Sequence, residues 1–181
     1  EKYNRIDLLD IAYTSAKELI INGTKANLKR IVFGKMNLDP NNEEDYNRGM
    51  GYFRENLTEQ KIRSYRADFR ENRFPVTATF YYSPNVLNIK VKNNFPLLPI
   101  EERRIREKFS NTTSFANLFD FFMEYGDNTE GAGLGITMVG ILLDQSGIDK
   151  HAFTLYSSLK YNETVAKLEI PLVDDYISMR H

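Results

Sequence analysis

The chain has 181 residues, 41% hydrophobic and 13% aromatic, with a formal net charge of −1. That length and apolar content suit one globular domain over residues 1–181, and the near-neutral charge excludes a nucleic-acid or membrane-surface binder held by bulk charge. There is no cysteine and there are 2 histidines, so disulfides and thiolate metal sites are excluded and a histidine metal site has almost no material.

Residues 6–33 predict one long amphipathic helix. At about 100° per residue, Leu9, Ala12, Ala16, Leu19, Ile20 and Gly23 share one face. Glu18, Asn22, Lys25 and Lys29 gather on another, within roughly 60° of each other. Gly34 is the expected stop, and residues 37–42 form a turn cluster. From Glu43 to Arg70 the chain is charged, with Tyr46, Tyr52, Phe53, Leu57, Ile62, Tyr65 and Phe69 spaced in threes and fours for much of the run. One or two helices are expected there, their aromatics packed on the core. Pro75 ends the stretch.

Val76 to Tyr82 is rich in β-branched and aromatic residues and predicts a strand; Val86 to Lys92 alternates and predicts its partner across a Ser83-Pro84-Asn85 turn. Residues 100–109 predict a charged helix. Residues 110–130 are irregular, with Asn, Thr, Gly and Asp at both ends, as a lid over 95–130 would be. Residues 152–159 and 164–172 predict a second strand pair, turning near Tyr161-Asn162, and His151 falls at a surface turn or strand start. Strands falling in pairs between helices predict an α+β fold, a two-layer sandwich of a mixed or antiparallel sheet with helices on one face.

No apolar run approaches a membrane span of about 18 residues, so no direct membrane insertion is expected. No signal segment is visible, and a cysteine-free chain fits a cytoplasmic location. Glu1 in place of Met points to a processed protein or a fragment of a longer one.

Gly131, Gly133 and Gly135 stand at alternate positions and open an apolar run that closes near Gly147. Glycines without Cβ let a backbone approach a ligand closely, and a helix N-terminus beyond them offers unpaired N–H groups to phosphate. A plain turn has the same composition. The loop does not follow a strand directly, and no Gly-Lys-Ser/Thr follows it, so neither a dinucleotide fingerprint nor a P-loop is expected.

The first helix carries Glu18-Leu19-Ile20-Ile21-Asn22-Gly23-Thr24-Lys25-Ala26. A carboxylate there can act as a general base. An Asn oxygen can ligate Mg²⁺, and a Lys one turn on can neutralise phosphate. A solvated helix face carries the same residues.

Taken together, these segments resemble the Bergerat-fold ATPases, the group that includes gyrase, the Hsp90 chaperones and sensor histidine kinases. Glu18 to Ala26 is similar to the family's N-box, and Gly131-Ala132-Gly133-Leu134-Gly135 to its second glycine box. Phe109 is similar to its F-box position, and Leu168-Glu169-Ile170-Pro171-Leu172 to the closing strand of two-component sensor kinases. The resemblance covers most of the chain apart from 35–75, a helical insert longer than usual there. It implies ATP and Mg²⁺ as cofactors. Glu18 would be catalytic; Asn22, Lys25, Asn93, Gly131, Gly133, Leu134 and Gly135 would bind nucleotide, with Asn22 also on the metal. The γ-phosphoryl would go to a histidine on a partner domain, or to a protein of a response-regulator pathway, and the full-length protein could be a homodimer.

One box departs from the pattern. The family's Asp-x-Gly-x-Gly falls on Asn93-Asn94-Phe95-Pro96-Leu97. Asn93 replaces the Asp that accepts from the adenine amino group, and Phe95 and Leu97 replace the glycines. A neutral acceptor makes roughly half the bond of a charged one. The alternative is therefore a degenerate relative that has lost ATP and works as a regulatory protein-interaction module. An ATP-hydrolysing machine like gyrase, or an anti-sigma-type serine kinase, shares the fold and motif order.

Overall fold

The computed structural model describes residues 8–103 and 134–177. Helix α1 spans Leu9–Lys35. It runs through Gly34 rather than stopping there. Its end is set by Asn37, which takes φ 50°, while Leu38 N–H donates to Phe33 O at 3.0 Å and Asn37 N–H to Gly34 O at 3.1 Å. This is a left-handed cap that closes the last carbonyls, with Asn in the glycine role.

Residues 35–75 hold three helices where one or two were expected: α2 (Glu43–Glu55), α3 (Glu59–Ser64) and α4 (Arg66–Glu71). Asn42 caps α2 by accepting from Asp45 N–H, and Thr58 caps α3 by accepting from Lys61 N–H. Their aromatics pack inward. Phe53 is buried against Leu28 and Val32 of α1, with Tyr65 and Phe69 beside it. Tyr46 packs on Phe33, ring centroids 5.9 Å apart. Gly49 is what permits this approach: a Cβ there would overlap the Phe33 ring. The insert is thus a second small core on the C-terminal half of α1.

Strands β1 (Val76–Tyr82), β2 (Val86–Asn93), β3 (Phe153–Ser158) and β4 (Glu163–Pro171) form one sheet in the order β1-β2-β4-β3. Every pairing is antiparallel, so among the described residues the sheet is antiparallel and not mixed. The register puts Phe80, Ile89, Leu168 and Phe153 in one row across all four strands. Ile89, Val91, Leu168, Ile170 and Phe153 share a core with Leu8, Ile11, Ala16 and Leu19 at the start of α1, and with Val139 and Leu143 of α5 (Leu134–Gln145). The other face carries Lys90, Lys92, Lys167 and Glu169. Among the described residues this is the expected α+β arrangement, with α1 and α5 packed on one face of an antiparallel sheet.

Gly147, at φ 67°, ends α5 as the sequence predicted; Ile148 N–H reaches back to Leu143 O at 2.9 Å. A single turn over Lys150–Ala152 leads into β3. His151 is exposed in that turn and pairs with Asp149 at 2.6 Å. The charged helix predicted from residue 100 begins at residue 99 and is helical to 103. The rest of it, including Phe109, and the lid from 104 to 130 lie outside the described residues, as do Gly131 and Gly133 of the glycine loop.

Candidate functional site

Helix α1 is shared between two surroundings, and its side-chain contacts tell them apart. Asn27 Nδ2 donates to Phe74 O at 2.6 Å, just before β1. Lys29 and Arg30 reach the other way, to Glu101 beyond β2. The flank that holds Lys29 also holds Glu18, Asn22 and Lys25, all half-buried. Helix α5 packs along α1. The N-terminus of α5, with Leu134 and Gly135 in its first turn, follows the glycine loop directly. Helix α1, which carries Glu18, Asn22 and Lys25, and helix α5, which begins at Leu134 and Gly135, are therefore neighbours in one layer.

Two polar atoms on this flank are left without partners. Ser15 is fully buried and its Oγ makes no hydrogen bond; Asn22 Nδ2 is enclosed and makes none. At helical spacing these residues differ by about 20° around the axis, two turns apart, with Glu18 between them. An enclosed donor without an acceptor costs about 1–3 kcal/mol. A ligand oxygen would satisfy it. A half-turn of the Asn22 amide would instead bring Oδ1 to the same point, the atom type a hard cation takes. Among the described residues no group of three or more His, Cys, Asp or Glu converges to hold a metal alone.

Asn93 has a different setting. It is buried at the end of β2, and both hydrogens of its amide are used: Nδ2 donates to Gly23 O at 2.9 Å and to Asn27 Oδ1 at 2.7 Å. Asn93 Oδ1 lies 3.2 Å from where a Gly23 Cβ would stand, and Val76 Cγ1 lies 3.0 Å from it. Gly23 lets the ends of β1 and β2 close on the helix. The stretch after Asn93 is tied down. Thr164 Oγ1 donates to Phe95 O at 2.7 Å, Asn162 Nδ2 to Asn94 O at 3.0 Å, and Leu97 N–H to Ser157 Oγ at 2.8 Å. Phe95 turns inward, edge-on to Phe74 at 5.4 Å and 4.9 Å beneath the Arg30 guanidinium.

Glu101 then clamps the chain that leaves this stretch. Its carboxylate accepts from Arg30 at 2.7 Å and from Leu98 N–H at 3.0 Å, and it pairs with Lys29. Burial alone would raise its pKa; the charges of Lys29 and Arg30, helped by the Leu98 N–H, outweigh that and hold the carboxyl below its usual value of 4.5. Pro99 at the first helical position and Glu101 at the third give the turn its start. Asn27, Ser15 and Glu101 were not singled out from the sequence. Asn27 could have been, because it is a polar residue on the apolar stripe of Leu19 and Gly23.

No protein-family model matches the chain. No solved structure matches it. An uncharacterized protein of Treponema pallidum (strain Nichols) is 30% identical to it over 154 residues, 85% of this chain and 29% of that protein. The chain spans less than a third of the length of that relative. No described helix is long and apolar enough to cross a membrane.

Proposed function

We propose that the chain is an ATP-binding catalytic domain of the histidine-kinase-like ATPase type, which passes the γ-phosphoryl of ATP to a histidine on a partner domain or protein. The observation that carries this reading is the pair of orphaned polar atoms, Ser15 Oγ and Asn22 Nδ2, on the flank of α1 that also bears Glu18 and Lys25. Lys25 and the N–H groups at the start of α5 neutralise and orient the phosphates, and Glu18 polarises the incoming nucleophile. Asn22 would be the protein ligand of a Mg²⁺ ion, which when bound would supply charge neutralisation. Asn93 keeps Oδ1 as the acceptor for the adenine amino group, since its N–H bonds are already committed to α1.

Calorimetric titration with Mg-ATP, beside Mg-ADP and Mg-GTP, tests binding. Adenine-selective binding at micromolar to sub-millimolar strength is expected, and absence of binding at millimolar nucleotide overturns the reading. The transfer step is tested with labelled ATP and the full-length protein; unchanged transfer by Glu18→Ala removes Glu18 from the role.

A specific observation favours a second reading. The Asn93–Leu97 stretch, where the resemblance expects glycines and room for a base, is pinned by three hydrogen bonds and plugged by Phe95. On that reading the domain is a degenerate relative without nucleotide, acting as a regulatory interaction module. The same titration separates the two.

A further inference from the structure

We propose that β1 is a self-association edge: two copies of this chain pair their β1 strands antiparallel about a two-fold axis at Thr79. Among the described residues no strand lies beside β1 on its outer side. Natural edge strands are usually blunted by lysine, proline or a bulge. From Val76 to Tyr82 β1 has none of these: it carries no charge and pairs with β2 residue by residue. Every one of its residues after Val76 is exposed.

The register decides which main-chain groups are available. Ser83 N–H donates to Val86 O at 2.9 Å and closes the hairpin. In an antiparallel ladder hydrogen-bonded pairs alternate, so Tyr81, Thr79 and Thr77 spend their N–H and C=O groups on β2. Ala78 and Phe80 turn theirs outward. A two-fold axis at Thr79 makes Ala78 and Phe80 of the two copies a hydrogen-bonded pair on each side of the axis, and brings Val76 opposite Tyr82. Thr77 then faces Tyr81, and Thr79 faces its own copy. Each aromatic meets a small or β-branched residue, the pairing that stabilises sheets, and no like charges meet.

The patch around the edge is large enough to matter. Leu9, Tyr13, Phe80, Tyr81 and Tyr82 are each more than half exposed. Phe80 and Tyr82 lie on the helix side of the sheet, in register with Ile89 and Leu87. Leu9 and Tyr13 lie on the flank of α1 that faces β1. At roughly 100 Å² of exposed surface for each, these five side chains offer about 500 Å², and the strand's own backbone adds to it, against the ~800 Å² per partner of a standard interface. Tyr13 and Asn22 are about 180° apart around α1, so pairing leaves the flank with Glu18 and Asn22 uncovered.

The test is sedimentation equilibrium of the 181-residue chain and its variants, with circular dichroism to verify folding. The parent is expected to dimerise at tens of micromolar. Thr79→Lys puts like charges opposite each other and raises the dissociation constant about tenfold or more. Thr79→Glu does the same, and a mixture of the two variants restores the dimer. Ala78→Pro deletes only an outward N–H, leaves the β1–β2 ladder intact and also gives monomers. A parent that stays monomeric at several hundred micromolar overturns the proposal. So does a dimer that Thr79→Lys and Ala78→Pro leave unchanged, which would place the contact elsewhere.

Discussion

Neutralising Glu101 measures how firmly the chain beyond β2 is tied to α1. Glu101→Gln keeps the side chain's volume, so no cavity enters the account. It removes a charge that faces Lys29 and Arg30, and it turns an N–H₂ group toward one of them. Removing one partner of a fully buried ion pair costs about 3–5 kcal/mol. Here the Lys29 and Arg30 side chains keep 17% of their surface exposed. Their heads can turn partly to water, so the expected loss is about 2 kcal/mol at neutral pH. For a chain of this length that lowers Tm by about 4–8 °C. The pH dependence gives a second check. The carboxyl titrates below its usual 4.5 when folded. Its stabilisation is therefore fully present above that value and is lost as pH falls through the lowered pKa. Urea unfolding of parent and variant, at neutral pH and again in acid well below 4.5, should show a gap that narrows in acid. A neutral-pH gap under about 0.5 kcal/mol, or one that acid leaves unchanged, refutes the clamp.

Two glycines of α2 should respond with opposite signs. Gly49→Ala forces a methyl into the Phe33 ring and should destabilise by about 1–3 kcal/mol; Gly51→Ala meets nothing within 4 Å and should stabilise by about 0.5–1 kcal/mol. Chemical denaturation reads both. Asn93→Asp restores the residue the resemblance expects, yet it should lower stability by about 2–4 kcal/mol, because a carboxylate would face Gly23 O and Asn27 Oδ1 where two N–H bonds stood. A variant as stable as the parent, with stronger ATP binding by calorimetry, would contradict this. Asn22→Ala should leave the free protein within about 1 kcal/mol of the parent, since it removes an unpaired donor along with some packing. It should weaken Mg-ATP binding at least tenfold, and a parallel loss of stability and affinity would make Asn22 merely structural.

The fold was legible where a period or a breaker was strong. Val76–Tyr82 and Gly147 fell where the sequence placed them, because a run of β-branched and aromatic residues and a left-handed C-terminal residue are local signals. The end of α1 was misread because glycine within a helix costs only about 1 kcal/mol, so Gly34 did not stop it; Asn37, which tolerates positive φ, did. The insert was undercounted for a related reason. Thr58 and Tyr65 break it into short helices with no proline or glycine at the joints, and only the Thr58 cap hinted at a boundary. Strand order depends on long-range pairing that no window of sequence contains.

The candidate site was legible as residue types and spacing, and its hydrogen-bond balance was not. Glu18, Asn22 and Lys25 could be put on one flank by counting along a helix. Whether Asn22 is satisfied depends on what encloses it, and that is a property of the packed layer. Asn93 shows the same limit from the other side. As a letter it is a weaker acceptor in place of Asp. In the fold it is first a donor, fixing the end of β2 to α1 through Gly23 and Asn27. An Asp could not make those bonds, so Asn93, Asn27 and Gly23 form one unit and the substitution is coupled to its neighbours. If adenine does bind, it meets an acceptor whose orientation α1 has already set, which offsets part of the missing charge by removing the need to order it. If it does not, the same three residues still account for why Asn stands there.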